Sequence, residues 1–281
     1  MRTDMNERRL LRLYPTPHGE CAIEGVYLGD PMPRRDSDAE PFVYANYVSS
    51  LDGRIAVDNP RAGRRSAPPT IANPRDWRLF QELAARADAL IVSAAFLRGL
   101  AEGRTQEKLP LGADPAFDDL HRWRRERGMP PQPAMVILSR TLDVALAERC
   151  TGFQRPVYFA VGRGGDRGTL KAVEATGARV LMAGEGLHVE GRPLIDALGC
   201  EGYRRIYSMA GPRVLHTLLK DRVLDRLYLT HVHRLLGGRA FDTLLEGDTL
   251  DPPVSLVPHA LFYDPGVDDA AGQFFAAYDI R

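Results

Sequence analysis

An α/β fold, with a mainly parallel central sheet and helices on both of its faces, is predicted by two observations on this sequence. Short β-branched and aromatic runs alternate with segments whose apolar residues recur at i, i+3 and i+4. Several of the short runs then end in glycine or small residues just ahead of a helical segment, as strand-to-helix joints do. Alternation of this kind places successive strands parallel and covers both faces of the sheet.

The elements follow in chain order. Residues 1–40 are charged, weakly periodic and rich in proline (Pro15, Pro17, Pro31, Pro33), and read as an N-terminal arm ahead of one domain spanning 41–281. A strand is expected at Phe42–Ser49. It runs into the turn Ser50-Leu51-Asp52-Gly53 and leaves as a second short strand through Arg54, Ile55 and Ala56. Gly accepts positive φ and Asp caps exposed amides, so this turn chemistry is sound, although a plain hairpin uses it too. The clearest helix begins at Asn73-Pro74, an N-cap followed by a residue suited to the first turn, with Leu79, Phe80, Leu83 and Ala87 on its buried face. Further strands are expected at Ala89–Val92, Ala134–Leu138, Pro156–Val161, Arg179–Met182, Arg205–Ser208 and Arg226–Thr230. The polar stretch Leu100–Pro133 interrupts them and holds a short amphipathic helix around Phe117–Arg127.

Composition narrows the function classes. Lys+Arg and Asp+Glu both number 37, giving zero net charge and no electrostatic case for nucleic-acid binding. No 18-residue apolar run and no signal pattern at Met1–Leu13 argue for a membrane span or export, so a cytoplasmic protein is expected. Cys21, Cys150 and Cys200 are widely spaced and odd in number, which fits a reducing compartment rather than a disulfide framework or thiolate zinc site. His231 and His233 alternate on one strand and face one side, but two imidazoles do not make a metal site, and polar strand positions are the plainer reading.

Three joints offer backbone to a ligand: Ile91 to Phe96, the glycine-rich Val161 to Gly168, and Tyr207 to Pro212 ahead of the amphipathic Val214 to Leu219. The glycine-rich joint has neither Gly-x-Gly-x-x-Gly nor P-loop spacing and reads as a plain loop.

Taken together and in order, these segments resemble the pyrimidine reductase family of riboflavin biosynthesis, whose fold is dihydrofolate-reductase-like. The resemblance rests on Asn46 to Ala56, on Asn73 to Phe80 followed by Ala87 to Val92, and on Val136 to Arg140. It continues with Met209-Ala210-Gly211-Pro212, Val223-Leu224-Asp225-Arg226-Leu227 and Leu235-Leu236-Gly237-Gly238. It covers about 230 residues and implies an NADPH-dependent reductase, a homodimer, acting on a small pyrimidine or pterin-like molecule. Substrate contacts implied are Asn46, Ser50, Asp52, Ser66 and Thr70. Cofactor contacts implied are Ser93, Ala94, Ala95, Ser139, Arg140, Ala210, Gly211, Pro212, Val214 and Leu215.

The chain departs from the family at four positions. Phe96 stands where a cofactor threonine is usual and Leu100 where an acid is usual. Met209 replaces the substrate glutamate, and Ala84 replaces the arginine that receives the substrate phosphate; Arg86 lies about 200° around the helix from that face. Two further readings therefore stand beside the reductase: a catalytically silent member that binds a ligand or partner, and a reductase retuned to a pterin-like substrate.

Arg140 carries the sharpest expectation, because only NADPH has the 2′-phosphate that a guanidinium fork can pair. Arg140→Ala is expected to weaken NADPH by roughly 10–150-fold and to leave NADH nearly unchanged, from a charge-assisted contact of about 1.5–3 kcal/mol. Titration of both nucleotides checks it, and equal losses would remove Arg140 from the site.

Overall fold

The computed structural model describes residues 9–32, 40–59, 63–93, 111–112, 114–139, 142–150, 152–266 and 271–281. Its strands are β1 (Leu10–Tyr14), β2 (Gly19–Cys21), β3 (Phe42–Ser50), β4 (Arg54–Asn59), β5 (Arg64–Ser66), β6 (Ala89–Ser93), β7 (Ala134–Leu138), β8 (Val157–Val161), β9 (Arg179–Met182), β10 (Arg205–Ser208), β11 (Arg226–Val232), β12 (Phe241–Thr243), β13 (Leu256–Asp264) and β14 (Gln273–Ile280). Its helices are α1 (Pro74–Arg86), α2 (Asp118–Glu126), α3 (Val144–Cys150), α4 (Arg167–Ala175), α5 (Gly191–Cys200) and α6 (Pro212–Lys220). The chain divides into two compact units. The first draws on Met1–Pro31, Tyr44–Leu83 and Leu224–Arg281, the second on Met32–Val43 and Ala84–Val223.

The second unit is the alternating α/β arrangement that the sequence predicts. Its five strands lie in the order β10-β6-β7-β8-β9 and are all parallel. On one face Val92, Met135, Ile137, Val157 and Phe159 pack with Leu146, Ala147 and Cys150 of α3 and Val173 of α4. Tyr158, pointing the other way, reaches Glu201 just beyond α5 at 2.9 Å. Helices thus cover both faces, and the strands are buried runs rather than alternating ones.

The first unit departs from the parallel expectation. Its strands run β2-β1-β13-β14-β11-β3, and only the β11–β3 pair is parallel. A small antiparallel sheet, β12-β4-β5, lies in the same unit. Six of these strands, β1, β2, β5, β12, β13 and β14, escape the sequence reading. β13 carries Pro258, normally a demotion for a strand, at a bulge where its register with β14 shifts before Ala260. β1 and β2 come from the stretch expected to be an arm; Leu11 pairs with Tyr263 and Leu10 with Cys21. β14 completes the antiparallel set by pairing along β11 from Asp279 to Gln273.

Helix α1 is the anchor of the first unit. Asn73 caps it as predicted, its Oδ1 accepting from the amides of Arg75 and Asp76 at 3.0 Å each. Of the predicted apolar face Leu79, Leu83 and Ala87 are buried and Phe80 half-buried, but the polar face is buried too: Arg75, Asp76, Arg78, Gln81, Glu82 and Arg86 are all under 8% exposed. Two buried ion pairs answer part of this charge. Arg75 Nε donates to Asp264 Oδ2 at 2.7 Å, and Arg78 Nε to Glu82 Oε1 at 2.9 Å. The same Glu82 carboxylate accepts from the amides of Gly25 (2.6 Å), Tyr27 (3.0 Å) and Leu28 (3.0 Å), so the N-terminal segment folds around it. Burial pushes the Glu82 pKa up, against the Gly25 amide and the Arg78 charge that pull it down.

A second lock holds the end of that segment. Asp30 accepts from Tyr228 Oη at 2.5 Å and Arg226 Nη1 at 2.8 Å, and bonds His259 Nε2 at 2.9 Å. Burial raises the Asp30 pKa, but the His259 and Tyr228 hydrogen bonds and the Arg226 charge outweigh it and bring the pKa below the usual range. Among the described residues no helix is long and apolar enough to cross a membrane.

Glu82→Ala removes the acceptor of three amides and the counter-charge of a buried guanidinium. A loss of about 3–5 kcal/mol is expected, as for other broken buried pairs. Urea denaturation measures it, and a change under about 1 kcal/mol would show that the N-terminal segment does not depend on this carboxylate.

Candidate functional site

The second unit positions a cleft by its strand order. Strands β6, β7, β8 and β9 step outward in sequence, and β10 returns to the opposite side of β6. The order therefore reverses between β6 and β10, and ligands of open parallel sheets gather outside the carboxyl ends at such a point. Ser93 closes β6 and Ser208 closes β10, and the Met209 amide donates to Ile91 O at 2.9 Å, holding the two joints together. Helix α6 then starts at Pro212 with Gly211 as its N-cap and no side-chain cap. A Cβ built on exposed Gly211 would meet nothing within 4 Å, so a ligand has room at this helix start. The Ser208 hydroxyl is fully buried there without a hydrogen-bond partner.

The residues expected to line a cofactor divide by burial. Ser93 and Val214 are half-buried and Gly211 is exposed. Pro212 is half-buried and, lacking an N–H, offers the helix start only its shape. Ala210 and Leu215 are 4% and 1% exposed, so their side chains belong to the core and only their backbone could face a ligand. Ser139 ends β7, its amide donating to Ala160 O at 3.1 Å. Ala94, Ala95, Phe96, Leu100 and Arg140 lie outside the described residues.

The glycine-rich joint after β8 is a packing device. Arg163 and Gly164 donate their amides to Gly184 O and Gly186 O, at 2.9 and 3.0 Å. A Cβ on Gly162 would sit 2.0 Å from Gly186 O, so only glycine lets the two loops meet. Asp166 caps α4 by accepting from the Thr169 amide at 2.7 Å. These amides are spent inside the protein, as a plain loop requires.

In the first unit, the Ser50–Gly53 turn is tied to the distant Leu235 to Gly238 stretch. Asp52 Oδ1 accepts from Ser50 Oγ at 2.5 Å, and its Oδ2 from the Gly237 amide at 2.8 Å. The Leu236 amide adds 3.2 Å contacts to both oxygens, and the Arg54 guanidinium pairs with Oδ2. The Ser50 hydrogen bond and the Gly237 amide lead the causes that bring the Asp52 pKa down to about 2. Gly53 takes φ +78°, the conformation the turn needs. Two motifs that the sequence separates by nearly two hundred positions are thus one structure. Both Asp52 oxygens are already occupied, so this carboxylate shapes the turn.

The other expected substrate contacts differ in standing. Asn46 pairs with Tyr228 on β11, and Tyr44, on the same side of β3, donates its hydroxyl to Leu83 O of α1 at 2.7 Å. Asn46 therefore faces the α1 side, and its Nδ2 is buried without a hydrogen-bond partner. Ser66 accepts from Asn59 Nδ2 at 3.0 Å, and Thr70 is exposed on the turn leading to α1. His233 is packed edge-on against Phe274 at 4.8 Å.

A residue that sequence reasoning missed stands on that same side. Asp76, 7% exposed in the first turn of α1, accepts a 2.6 Å hydrogen bond from Thr230 Oγ1 on β11. Burial raises its pKa to about 6, since the Thr230 hydroxyl is a neutral donor and offsets only part of the desolvation. An acid in the first turn reads in sequence as ordinary helix-dipole compensation; nothing local announces that it is buried against a hydroxyl. With Asn46 it gives this face an amide donor and a carboxyl able to hold or release a proton near neutrality.

The departures are also explained. Met209 packs against the apolar cluster of β6, β7 and β8, and Ala84 is fully buried. Of the arginines after the turn, Arg65 is committed to Asp242 at 2.5 Å, Arg64 is exposed, and Arg61 lies outside the described residues.

Comparison with known proteins agrees with this architecture. The family model described as RibD C-terminal domain matches residues 41–259. The chain is 24% identical over 213 residues to the 2,5-diamino-6-ribosylamino-4(3H)-pyrimidinone 5′-phosphate reductase of Archaeoglobus fulgidus, covering 74% of this chain and 88% of that one. A pyrimidine reductase-like protein of Corynebacterium diphtheriae superposes with a TM-score of 0.66 at 20% identity, over 92% of this chain and 98% of the other. RibD of Acinetobacter baumannii gives a TM-score of 0.54 at 15% identity, over 86% of this chain and 58% of that one. At these identities the two structures share the fold.

The Asp76 carboxyl has a pH signature. Its folded pKa, about 6, lies above the ordinary value, so its neutral form stabilises the fold fully below pH ~4 and that contribution is lost as pH rises through ~6. About two pKa units correspond to roughly 3 kcal/mol. Asp76→Asn is expected to remove most of that decline, read as urea-unfolding free energies near pH 4.5 and 7.5. A variant that declines as steeply as the wild type would place the titration elsewhere.

Proposed function

The chain belongs to the RibD C-terminal domain family, an oxidoreductase family, and from that premise we propose that it is an NADPH-dependent reductase of a pyrimidine-ribosylamine or a closely related heterocycle. The observation that carries the reading is the reversal between β6 and β10, with a helix start that has no side-chain cap and, among the described residues, open space at Gly211. These features suit a nucleotide, because the helix dipole and the backbone at its start favour the phosphates. Ser93 and the backbone of Ala210 and Gly211 would hold it, with Arg140 on the 2′-phosphate. When bound, NADPH supplies the hydride.

The chain's own residues do the rest. Reducing a C=N bond by hydride transfer to carbon leaves the nitrogen in need of a proton. Within the first unit, the Asp76 carboxyl, which Thr230 holds in one orientation, is the acid suited to give such a proton. Asn46 orients a ring amide or carbonyl of the substrate, and the Asp52 turn fixes the loop that follows. A homodimer is part of the same proposal, with sedimentation velocity as its measure.

The substrate is expected to differ from that of the phosphate-specific relative in its dependence on the phosphate. Met209 and Ala84 supply no donor, and a dianion leaving water needs paired ones. Steady-state NADPH oxidation is therefore expected to be no faster with the 5′-phosphorylated ribosylaminopyrimidine than with its dephosphorylated form. Efficient use of the phosphorylated compound that survives loss of Arg61, Arg64 and Arg65 would sink this assignment. Absence of both NADPH oxidation and NADPH binding would instead favour the silent binding module.

A further inference from the structure

Opposite the carboxyl ends that the cofactor reading uses, the second unit has a cavity of roughly 300 Å³ at the amino ends of β8 and β9. Cys150, Phe153, Arg155, Val157, Thr176 and Arg179 are among its walls. It lies a full strand length from the Gly162 joint, about 13 Å along β8 at ~3.3 Å per residue. Two features set it apart from a packing defect. Half-buried Arg155 lines it, and its Nη1, shielded from solvent, has no hydrogen-bond partner among the described residues. No carboxylate is among the walls; the second cation, Arg179, has its Nη1 committed to Tyr158 at 2.9 Å and Glu201 at 3.3 Å.

The surroundings sharpen the imbalance. Burial, and then the Arg124 guanidinium, push the Arg155 pKa down to about 10, so it stays charged at neutral pH in a place that lacks a counter-charge. Arg124 itself donates to carbonyls, those of Ala85, Ala87 and Pro130. The Cys150 thiol, pushed up to about 11 by burial, is neutral and behaves as part of the apolar wall with Phe153 and Val157. A guanidinium fork matches carboxylate and phosphate geometry, and a partly desolvated guanidinium beside a cavity with no carboxylate among its described walls favours an incoming anion.

We propose that this cavity binds a small organic oxyanion, a carboxylate or phosphate monoester with an apolar body, whose charged end pairs with Arg155. The site is independent of the reductase reading, because it uses the other end of the strands and none of the residues assigned there. Phenyl phosphate is a suitable probe, having a dianionic head and an apolar ring. Calorimetric titration of the full chain is expected to give millimolar or tighter affinity, weakened roughly tenfold or more in Arg155→Gln. In the unmutated protein, phenylglyoxal modification of Arg155, read by peptide mass, is expected to slow when phenyl phosphate is present; this readout decides the matter if the variant fails to fold. Wild-type affinity in a folded Arg155→Gln protein, no binding up to about 20 mM, or no protection of Arg155 would overturn the proposal.

Discussion

Burial of the polar face of α1 is the constraint on which the first unit depends. A helix with six charged or amide side chains under 8% exposure is affordable only because its neighbours are chosen to meet them. Glu82 organises the N-terminal segment through three amides while neutralising Arg78. Arg75 is met by Asp264, which also accepts from Gln273 at 2.9 Å, and Gln273 in turn receives the Asn73 amide at 2.7 Å. The helix start, β13 and β14 are thereby one hydrogen-bonded unit. Asp76 meets the Thr230 hydroxyl, and with that neutral partner burial raises its pKa to about 6.

The second unit solves a different problem. Its strands are apolar on both faces, and polarity is confined to their ends. At the carboxyl ends, small residues and an uncapped helix leave backbone available, whereas after β8 the amides are already used between two loops. Glycine serves opposite purposes at the two joints. Gly211 leaves space, and Gly162 removes a Cβ so that two backbones can touch. The second joint is rich in glycine, yet its spacing reads as a plain loop, and its amides are bonded within the protein as that reading expects.

What the sequence by itself determined was local or periodic. The strands of the second unit, the start of α1 at its Asn73 cap, the short helix after Phe117 and the Asp52-Gly53 turn were all legible, because each depends on residues a few positions apart. The order of loose motifs also pointed to the family, since order survives where individual residues drift. Only the tertiary structure decided which polar groups lost their water. Asp52 is saturated by amides from residues 236 and 237, Asp76 meets Thr230 from 154 positions away, and Arg155 is left facing a cavity without an acid. Antiparallel β13 and β14 likewise depend on partners far along the chain, with Pro258 tolerated at a bulge. Desolvation and partner identity are non-local quantities: the same aspartate in a first helical turn is a solvated dipole partner or a proton-holding group according to what the fold places against it.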